Sequence, residues 1–386
     1  MSMRLAVPCL ALSLFSCATP SSTGGSTGAS GPAAPVREKM SVVNNSPFDL
    51  AACPGHPLSL DPLSEEVVMG ALLTRGPAFQ ECFLDTKSAQ GSPADVAVKA
   101  TVSPEGVSVA VSGTGVSDAG KACLEAAVKA VDFPKLPAGA APVSGQVPVA
   151  LAVKPVVFGM NVASDVAGTI RLALPSMCGC FKDLGDAPPP QPVAKLKLTA
   201  TTPPEVLFDG VGATPGLGTC LVEKVKALAL PKSDVEMALP LILVNGWAAS
   251  ASPDVSAALQ FQQLEAMRSR RTAEVLITAG RRGTAALRYD EVVKKYKAKP
   301  TPSLIGELKT KCADVLSGDD ANLAALKALM DVYQAEAKLV QAEKAKDPAW
   351  ANVEASLSKQ LTQTSGEVVR VEQQKVADAA ACPKSK

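Results

Sequence analysis

Residues 65–244 run twice through one succession of apolar patterns. In the first pass Val68, Leu72 and Leu73 recur at helical spacing, with Phe79 and Phe83 following, which predicts a single helix over residues 65–85. Val96, Val98, Ala100 and Val102 then alternate with polar residues, Ser103-Pro104-Glu105-Gly106 supplies a tight turn, and Val107, Val109 and Val111 alternate again. Period two on both sides of a Pro/Gly turn predicts a β-hairpin. A second helix is expected from a cap at Asp118, with Cys123, Ala127 and Val131 on one face and Pro134 ending it. Val147, Val149, Leu151 and Val153 make the last strand. The second pass reads likewise: a helix with Ile170, Leu172, Leu174 and Phe181, strands over 195–200 and 206–209, a helix over 220–228 and a final strand over 237–244. Its hairpin turn, Thr202-Pro203-Pro204-Glu205, lacks the first copy's glycine.

The duplication extends to the residues themselves. Cys82-Phe83-Leu84-Asp85 returns as Cys180-Phe181-Lys182-Asp183, and Cys123-Leu124 with Val128-Lys129-Ala130 and Pro134 returns as Cys220-Leu221 with Val225-Lys226-Ala227 and Pro231. Both final strands contain a proline, Pro148 and Pro240, at matching places. Proline lacks the ladder N–H, so either these edges are blunted against strand addition or the prolines face an unpaired side.

From about Pro253 the periodicity is helical to the end. Leu259, Met267 and Val275-Leu276-Ile277 mark a long helix that Gly280-Arg281-Arg282-Gly283 is expected to break, with Leu287, Val292, Val293 and Tyr296 continuing it. After Pro300 and Pro302 comes a helix with Leu304, Leu308, Cys312 and Leu316, ended by a Ser317-Gly318 turn. Leu323, Leu326, Met330, Tyr333, Ala337 and Val340 then keep 3-4 spacing, as do Trp350, Val353, Leu357, Leu361, Val368 and Val371 after the helix start at Asp347-Pro348.

The amino terminus reads as an export address. Arg4 precedes an apolar run from Leu5 to Phe15, shorter than the about 20 residues that span a bilayer. Leu14-Phe15-Ser16-Cys17 resembles a bacterial lipoprotein processing box, in which Cys17 would be acylated and become the mature terminus. The alternative is a plain signal peptide with an incidental cysteine. Ser, Thr, Gly, Ala and Pro dominate the residues that follow, as in a flexible tether of about 30 Å average reach. No later segment reads as transmembrane. The expected division is therefore a signal peptide (1–16), a tether (17–60), two repeats (61–155 and 156–246) and a helical bundle (247–386).

Of ten cysteines, eight follow Cys17, and an even number in an exported chain reads as disulfides. The repeat suggests Cys82–Cys123 and Cys180–Cys220. Loops near 40 residues would stabilise each domain by about 4 kcal/mol on the chain-entropy model. That would matter in a chain with nine Phe, three Tyr and two Trp. At 1.5 Å per residue, a helix over 320–346 rises about 40 Å and one over 348–379 returns about 48 Å. The return overshoots Ser317-Gly318 and should bring Cys382 to Cys312. Elimination leaves Cys53 with Cys178. Cys178-Gly179-Cys180 lacks a second pair of ligands, so zinc is not expected.

Candidate chemistry is sparse. His56 is the one histidine and reads as a loop residue. Gly210, Gly212, Gly216 and Gly218 precede a helix but lack the Lys-Ser/Thr of a phosphate loop. Glu65-Glu66 and Asp319-Asp320 read as acids at helix starts. No cofactor is implied. Arg268, Arg270, Arg271, Arg281, Arg282 and Arg288 gather around the expected helix break in a chain of net charge +1. They form either a contact for anionic lipid, glycan phosphate or an acidic partner, or solvated faces pairing with local Glu. Nucleic acid is not expected, since aromatic interleaving is missing.

The order helix, hairpin, helix, strand, with Cys-aromatic near the end of the first helix, resembles the TonB carboxy-terminal-like fold. It is most similar to a cysteine-containing version in envelope proteins of gliding bacteria. There Cys-Tyr-Glu ends the first helix, a Pro-acid-Gly turn joins the strands, and a second Cys opens the next helix before Phe-Pro. Here these positions read Cys82-Phe83-Leu84, Pro104-Glu105-Gly106, Cys123 and Phe133-Pro134, and the second copy keeps Cys180-Phe181, Cys220 and Leu230-Pro231. The usual Tyr and Glu are absent from both copies. The resemblance covers about 180 of 386 residues and implies periplasmic, non-enzymatic, protein-contacting domains. The expected class is thus α+β, two tandem αββαβ domains followed by an all-α bundle. The expected role is a lipid-anchored scaffold contacting envelope proteins, on the outer membrane. The alternative is a lipoprotein that binds peptidoglycan or a surface glycan.

Overall fold

The computed structural model describes residues 42–55, 58–151, 154–212, 214 and 216–383. The signal region, Cys17, His56 and Val153 lie outside the described residues. Mixed α and β structure is followed by a helical region, and among the described residues no helix is long and apolar enough to cross a membrane.

The chain opens with a two-residue strand, β1 (Phe48–Asp49). This overturns the extent of the tether expected over 17–60: Phe48, Leu50, Ala51 and Ala52 are buried, with Phe48 and Leu50 in the core of the second repeat. Phe48 lies on this strand and Leu50 opens the single 3-10 turn that follows, and their apolar surface is what the core takes up.

The first repeat begins with α1 (Glu65–Thr74), capped by Ser64, whose Oγ accepts from the Val67 N–H at 3.3 Å, with Glu65 and Glu66 in the first turn. The single helix expected over 65–85 is two. Arg75 ends α1, and α2 (Gly76–Glu81) follows with Pro77 in its first turn, where a continuous helix would put the proline ring against the preceding turn. Next come β2 (Ala89–Ser103) and β3 (Gly106–Val116). Ser103 faces Gly106 across the hairpin, and Gly106 takes φ 133°, a conformation open to glycine. The cap of α3 (Asp118–Lys129) is Ser117 rather than Asp118. The Ser117 Oγ accepts from Gly120 N–H at 3.1 Å and donates to the Lys87 carbonyl at 2.7 Å. β4 (Val143–Pro148) completes an antiparallel sheet of order β3-β2-β4.

The second repeat repeats this topology with α4 (Val162–Ala173), β5 (Val193–Leu198), β6 (Glu205–Asp209), α5 (Leu217–Lys226) and β7 (Val235–Pro240), in sheet order β6-β5-β7. The two prolines are equivalent in register as well as in sequence. Pro148 faces Ala97 and Pro240 faces Val193, each as the last residue of an edge strand. In each copy the next N–H still bonds the residue before the proline's partner: Val149 to the Val96 carbonyl of β2 at 2.8 Å, and Leu241 to the Pro192 carbonyl just ahead of β5 at 2.7 Å. The final strand expected over 237–244 is divided at Pro240. Its remainder, β8 (Leu243–Val244), leaves the sheet and pairs in parallel with β1.

Three long helices follow: α6 (Ala257–Ala298), α7 (Pro302–Lys344) and α8 (Ala351–Ala381). Neither expected interruption occurs. α6 runs unbroken through Gly280–Gly283, and α7 through Ser317-Gly318. These glycines permit close helix contact. A Cβ on Gly280 would lie 2.5 Å from the Ser64 Oγ and 3.0 Å from the Glu66 Cβ of the first repeat; one on Gly318 would lie 3.0 Å from the Arg282 Cα. On the facing helix, a Cβ on Gly70 would meet the Ala273 carbonyl oxygen at 2.8 Å. Ile277 of α6 belongs to the core of the first repeat, so α1 and α6 share one apolar interior. Asp319, expected at a helix start, is therefore in mid-helix and buried.

All four expected disulfides are present: Cys82–Cys123, Cys180–Cys220, Cys53–Cys178 and Cys312–Cys382, with Cα separations of 5.7, 5.6, 5.5 and 5.8 Å. The last forms for a simpler reason than the expected overshoot. α7 and α8 are the arms of one hairpin, and Asp347 in its bend is the midpoint of the 70-residue separation between the two cysteines.

Candidate functional site

Residues 42–53 contact both repeats, and two arginines that are inconspicuous in the sequence bind them there. Arg171 of α4 is 4% exposed. Its Nη1 and Nη2 donate to the two carboxylate oxygens of Glu81, at the end of α2, each at 2.7 Å. Its Nε donates to the Ser46 carbonyl at 2.9 Å and Nη2 to the Pro47 carbonyl at 2.8 Å, while the guanidinium lies 5.4 Å from the Phe48 ring centre. One side chain thus joins the first repeat, the second repeat and the amino-terminal segment. Such planar, bidentate pairing is what guanidinium geometry suits. Arg75 acts similarly at the break between α1 and α2, donating to the Ala52 carbonyl at 2.9 Å and to the Ala127 carbonyl at 3.3 Å.

The clasp extends into the helical region. An Asp49 carboxylate oxygen accepts from the Ala51 and Gly246 N–H groups, both at 2.9 Å. Burial raises its pKa to about 6 despite those two bonds. Asn245 and Gln263 of α6 exchange bonds of 2.8 and 2.7 Å, and the Asn245 amide donates to the Gly185 and Ala187 carbonyls. The Cys53–Cys178 bond closes the same junction covalently.

The arginines expected as a gathered cationic surface are mostly drawn inward. Arg268 pairs with Glu336 of α7 at 3.1 Å and Glu265 at 3.3 Å, beside the Tyr333 ring. Arg270 is buried against the Trp247 ring, 3.7 Å from its centre, and pairs with Glu274 at 2.8 Å; burial pushes its pKa down to about 10. Arg271 bonds Glu274 at 2.7 Å. Arg281 donates to the Asp61 carbonyl at 2.8 Å. Arg282 bridges Asp319 at 2.9 Å and Asp378 of α8, and those bonds raise its pKa although burial works against them. Arg288 alone of the six is exposed. The cause is the unbroken α6: its continuous helical spacing turns Arg268 and Arg282 toward α7 and its acids instead of splaying them around a kink.

Glu336 is the most enclosed of these acids, fully buried, and burial lifts its pKa to about 7 against the pull of Arg268. Its Oε1 and the Asp319 Oδ2 have no hydrogen-bond partner among the described residues. Along this seam the acids of α7 pair with arginines of α6 and so fix the register of the two helices. Among the described residues no group of three or more His, Cys, Asp or Glu is arranged to hold a metal. Gly210, Gly212 and Gly216 all take positive φ ahead of α5, which Gly216 begins with no side-chain cap. The clasp was invisible to periodicity: Arg171 sits within an apolar helix pattern, and only its place opposite Glu81 gives it meaning. Comparison with known protein families, curated proteins and solved structures finds no match.

Proposed function

We propose that this protein is a lipid-anchored component of a bacterial cell envelope, acting as an interaction scaffold for other envelope proteins. On this reading Cys17 carries the anchor at the outer membrane, the two repeats are TonB carboxy-terminal-like domains, and the helical region is a stiff arm. The role is binding rather than catalysis.

The clasp is the observation that carries the proposal. The segment leading from Cys17 is joined to the second repeat by Cys53–Cys178 and to both repeats through Arg171 and Arg75. An anchor at the amino terminus would therefore act on the whole braced body. Four disulfides support residence in an oxidising compartment. The helix-strand-strand-helix-strand order, duplicated down to the proline register, supports the domain assignment. Crosslinking in intact cells, followed by purification from solubilised membranes, tests the role. A discrete envelope protein recovered in fixed proportion is expected; a protein that stays solitary under conditions that crosslink known neighbours contradicts it. Recovery with purified peptidoglycan alone would favour the glycan-binding alternative.

A further inference from the structure

The exposed apolar side chains of this protein are not evenly spread. Val157, Phe158 and Met160 lie consecutively around Gly159 in the link between the repeats, and are 45%, 52% and 58% exposed. Val43, also 48% exposed, belongs to the segment fastened to that link. The remaining large exposed apolar residues, such as Leu207, Leu287 and Val376, sit on β6 and the long helices.

The backbone beneath the group is pinned. Buried Asn44 accepts from the Val157 N–H at 3.0 Å and donates to the Val157 carbonyl at 2.7 Å and the Ser164 carbonyl at 2.9 Å. Asp165 accepts from the Gly159 N–H at 2.7 Å. A Cβ on Gly168 would lie 2.6 Å from Val156 and 3.3 Å from the Phe158 ring, so the link sits directly on α4. A link held this firmly presents its apolar side chains outward as part of the native structure. Exposed apolar side chains grouped on a pinned link are the kind of surface that marks a contact for membrane or protein.

We infer that the Val157–Met160 tip dips into the interfacial layer of the bilayer to which the protein is anchored. The inference rests on the lipid anchor at Cys17 proposed above. Its reason is position. Asn44 ties the tip to the first described residues of the chain, only 27 residues along the sequence from Cys17. Phe, Met and Val suit the boundary between headgroups and acyl chains, and exposed Lys154 beside them suits anionic headgroups. The tip would set the orientation of the scaffold, with the anchor supplying the affinity.

The test uses full-length acylated protein carrying F158W, reconstituted in phosphatidylethanolamine and phosphatidylglycerol vesicles, with wild-type emission subtracted to remove Trp247 and Trp350. Insertion about 5–10 Å into the boundary predicts blue-shifted F158W emission. It also predicts stronger quenching by lipids brominated near the headgroup than by lipids brominated at the chain end. Vesicle-bound acylated protein whose F158W emission stays unshifted and unquenched overturns the inference and leaves the anchor intact. If mass spectrometry finds no acyl group, the functional reading fails independently. The tip is then tested by placing a polyhistidine tag at position 17 and holding the protein on phosphatidylcholine vesicles containing a nickel-chelating lipid. Quenching there supports insertion, and its absence overturns it. Photocrosslinking from position 158 in cells to a protein instead of lipid also overturns it.

Discussion

Replacing Arg171 with Met keeps the apolar stem near Phe48 and removes the guanidinium that joins three parts of the chain. Arg171→Met leaves Glu81 a carboxylate with its side chain 12% exposed and no paired cation, and takes donors from the Ser46 and Pro47 carbonyls. Breaking a buried ion pair on one side costs about 3–5 kcal/mol. At about 1.4 kcal/mol per tenfold, that is a rise of roughly two to four orders of magnitude in local opening. The assay is native-state hydrogen exchange, because local free energies can be read residue by residue without requiring the whole chain to unfold at once. Amides of β1 and α4, notably the Phe48 N–H that donates to the Ile242 carbonyl at 2.9 Å, should lose protection, while the β2–β3 hairpin should not. Adding Glu81→Met should recover part of the loss, since the stranded carboxylate is gone. The double variant should remain below wild type by about 1 kcal/mol because the half-buried Ser46 and Pro47 carbonyls still lack donors. An Arg171→Met protein within 1 kcal/mol of wild type, or a double variant no better than the single one, would refute the clasp.

The glycine contacts make opposite predictions at neighbouring sites. Gly70→Ala meets a backbone carbonyl at 2.8 Å and should destabilise by about 1–3 kcal/mol through overpacking. Gly283→Ala has no atom within 4 Å to meet and should gain up to about 1 kcal/mol from helix propensity, both read from denaturant midpoints. Burial raises the folded-state pKa of Asp49 to about 6 and of Glu336 to about 7, so the folded protein binds these protons more tightly than the unfolded chain. Their contribution is fully favourable below the unfolded carboxylate pKa values and is lost as pH rises through about 6 and about 7. Thermal midpoints should fall between about pH 5 and pH 8, and Glu336→Gln should flatten the upper part of that slope; an unchanged slope in that variant would contradict the assignment. Cys312→Ser with Cys382→Ser opens a 70-residue loop, removing about 4 kcal/mol on the chain-entropy model. Exchange should then rise along the carboxy-terminal half of α8 and leave both repeats protected.

What the sequence makes legible here is whatever repeats or alternates. The hairpins, the paired cysteines of each copy and the matched prolines recur twice in the chain and recur in the folded repeats. Glycine in a helical pattern is ambiguous, because it both weakens a lone helix and admits a close neighbour. Gly280 and Gly318 do the second, and only the position of Ser64 or Arg282 opposite them decides it. Phe48 and Leu50 are hard to tell from a polar tether because a two-residue strand followed by a single 3-10 turn has too short a period to read. Arg171, Glu336 and Asp319 carry charge into buried places for reasons that lie wholly in other elements, so neither their spacing nor their composition announces them. Of the two readings open for the arginines, pairing with local Glu holds for Arg270 and Arg271, while Arg268 and Arg282 turn to acids of other helices that their spacing does not announce.

The central claim is an exported body, acylated at Cys17 and braced by four disulfides. Mass spectrometry of the protein isolated from native membranes under thiol-trapping conditions tests it most directly. The account predicts an amino-terminal peptide that begins at Cys17 and bears acyl mass. It also predicts four linked peptide pairs joining Cys53 to Cys178, Cys82 to Cys123, Cys180 to Cys220 and Cys312 to Cys382. An intact Met1 terminus together with trapped free thiols at these eight positions would contradict it.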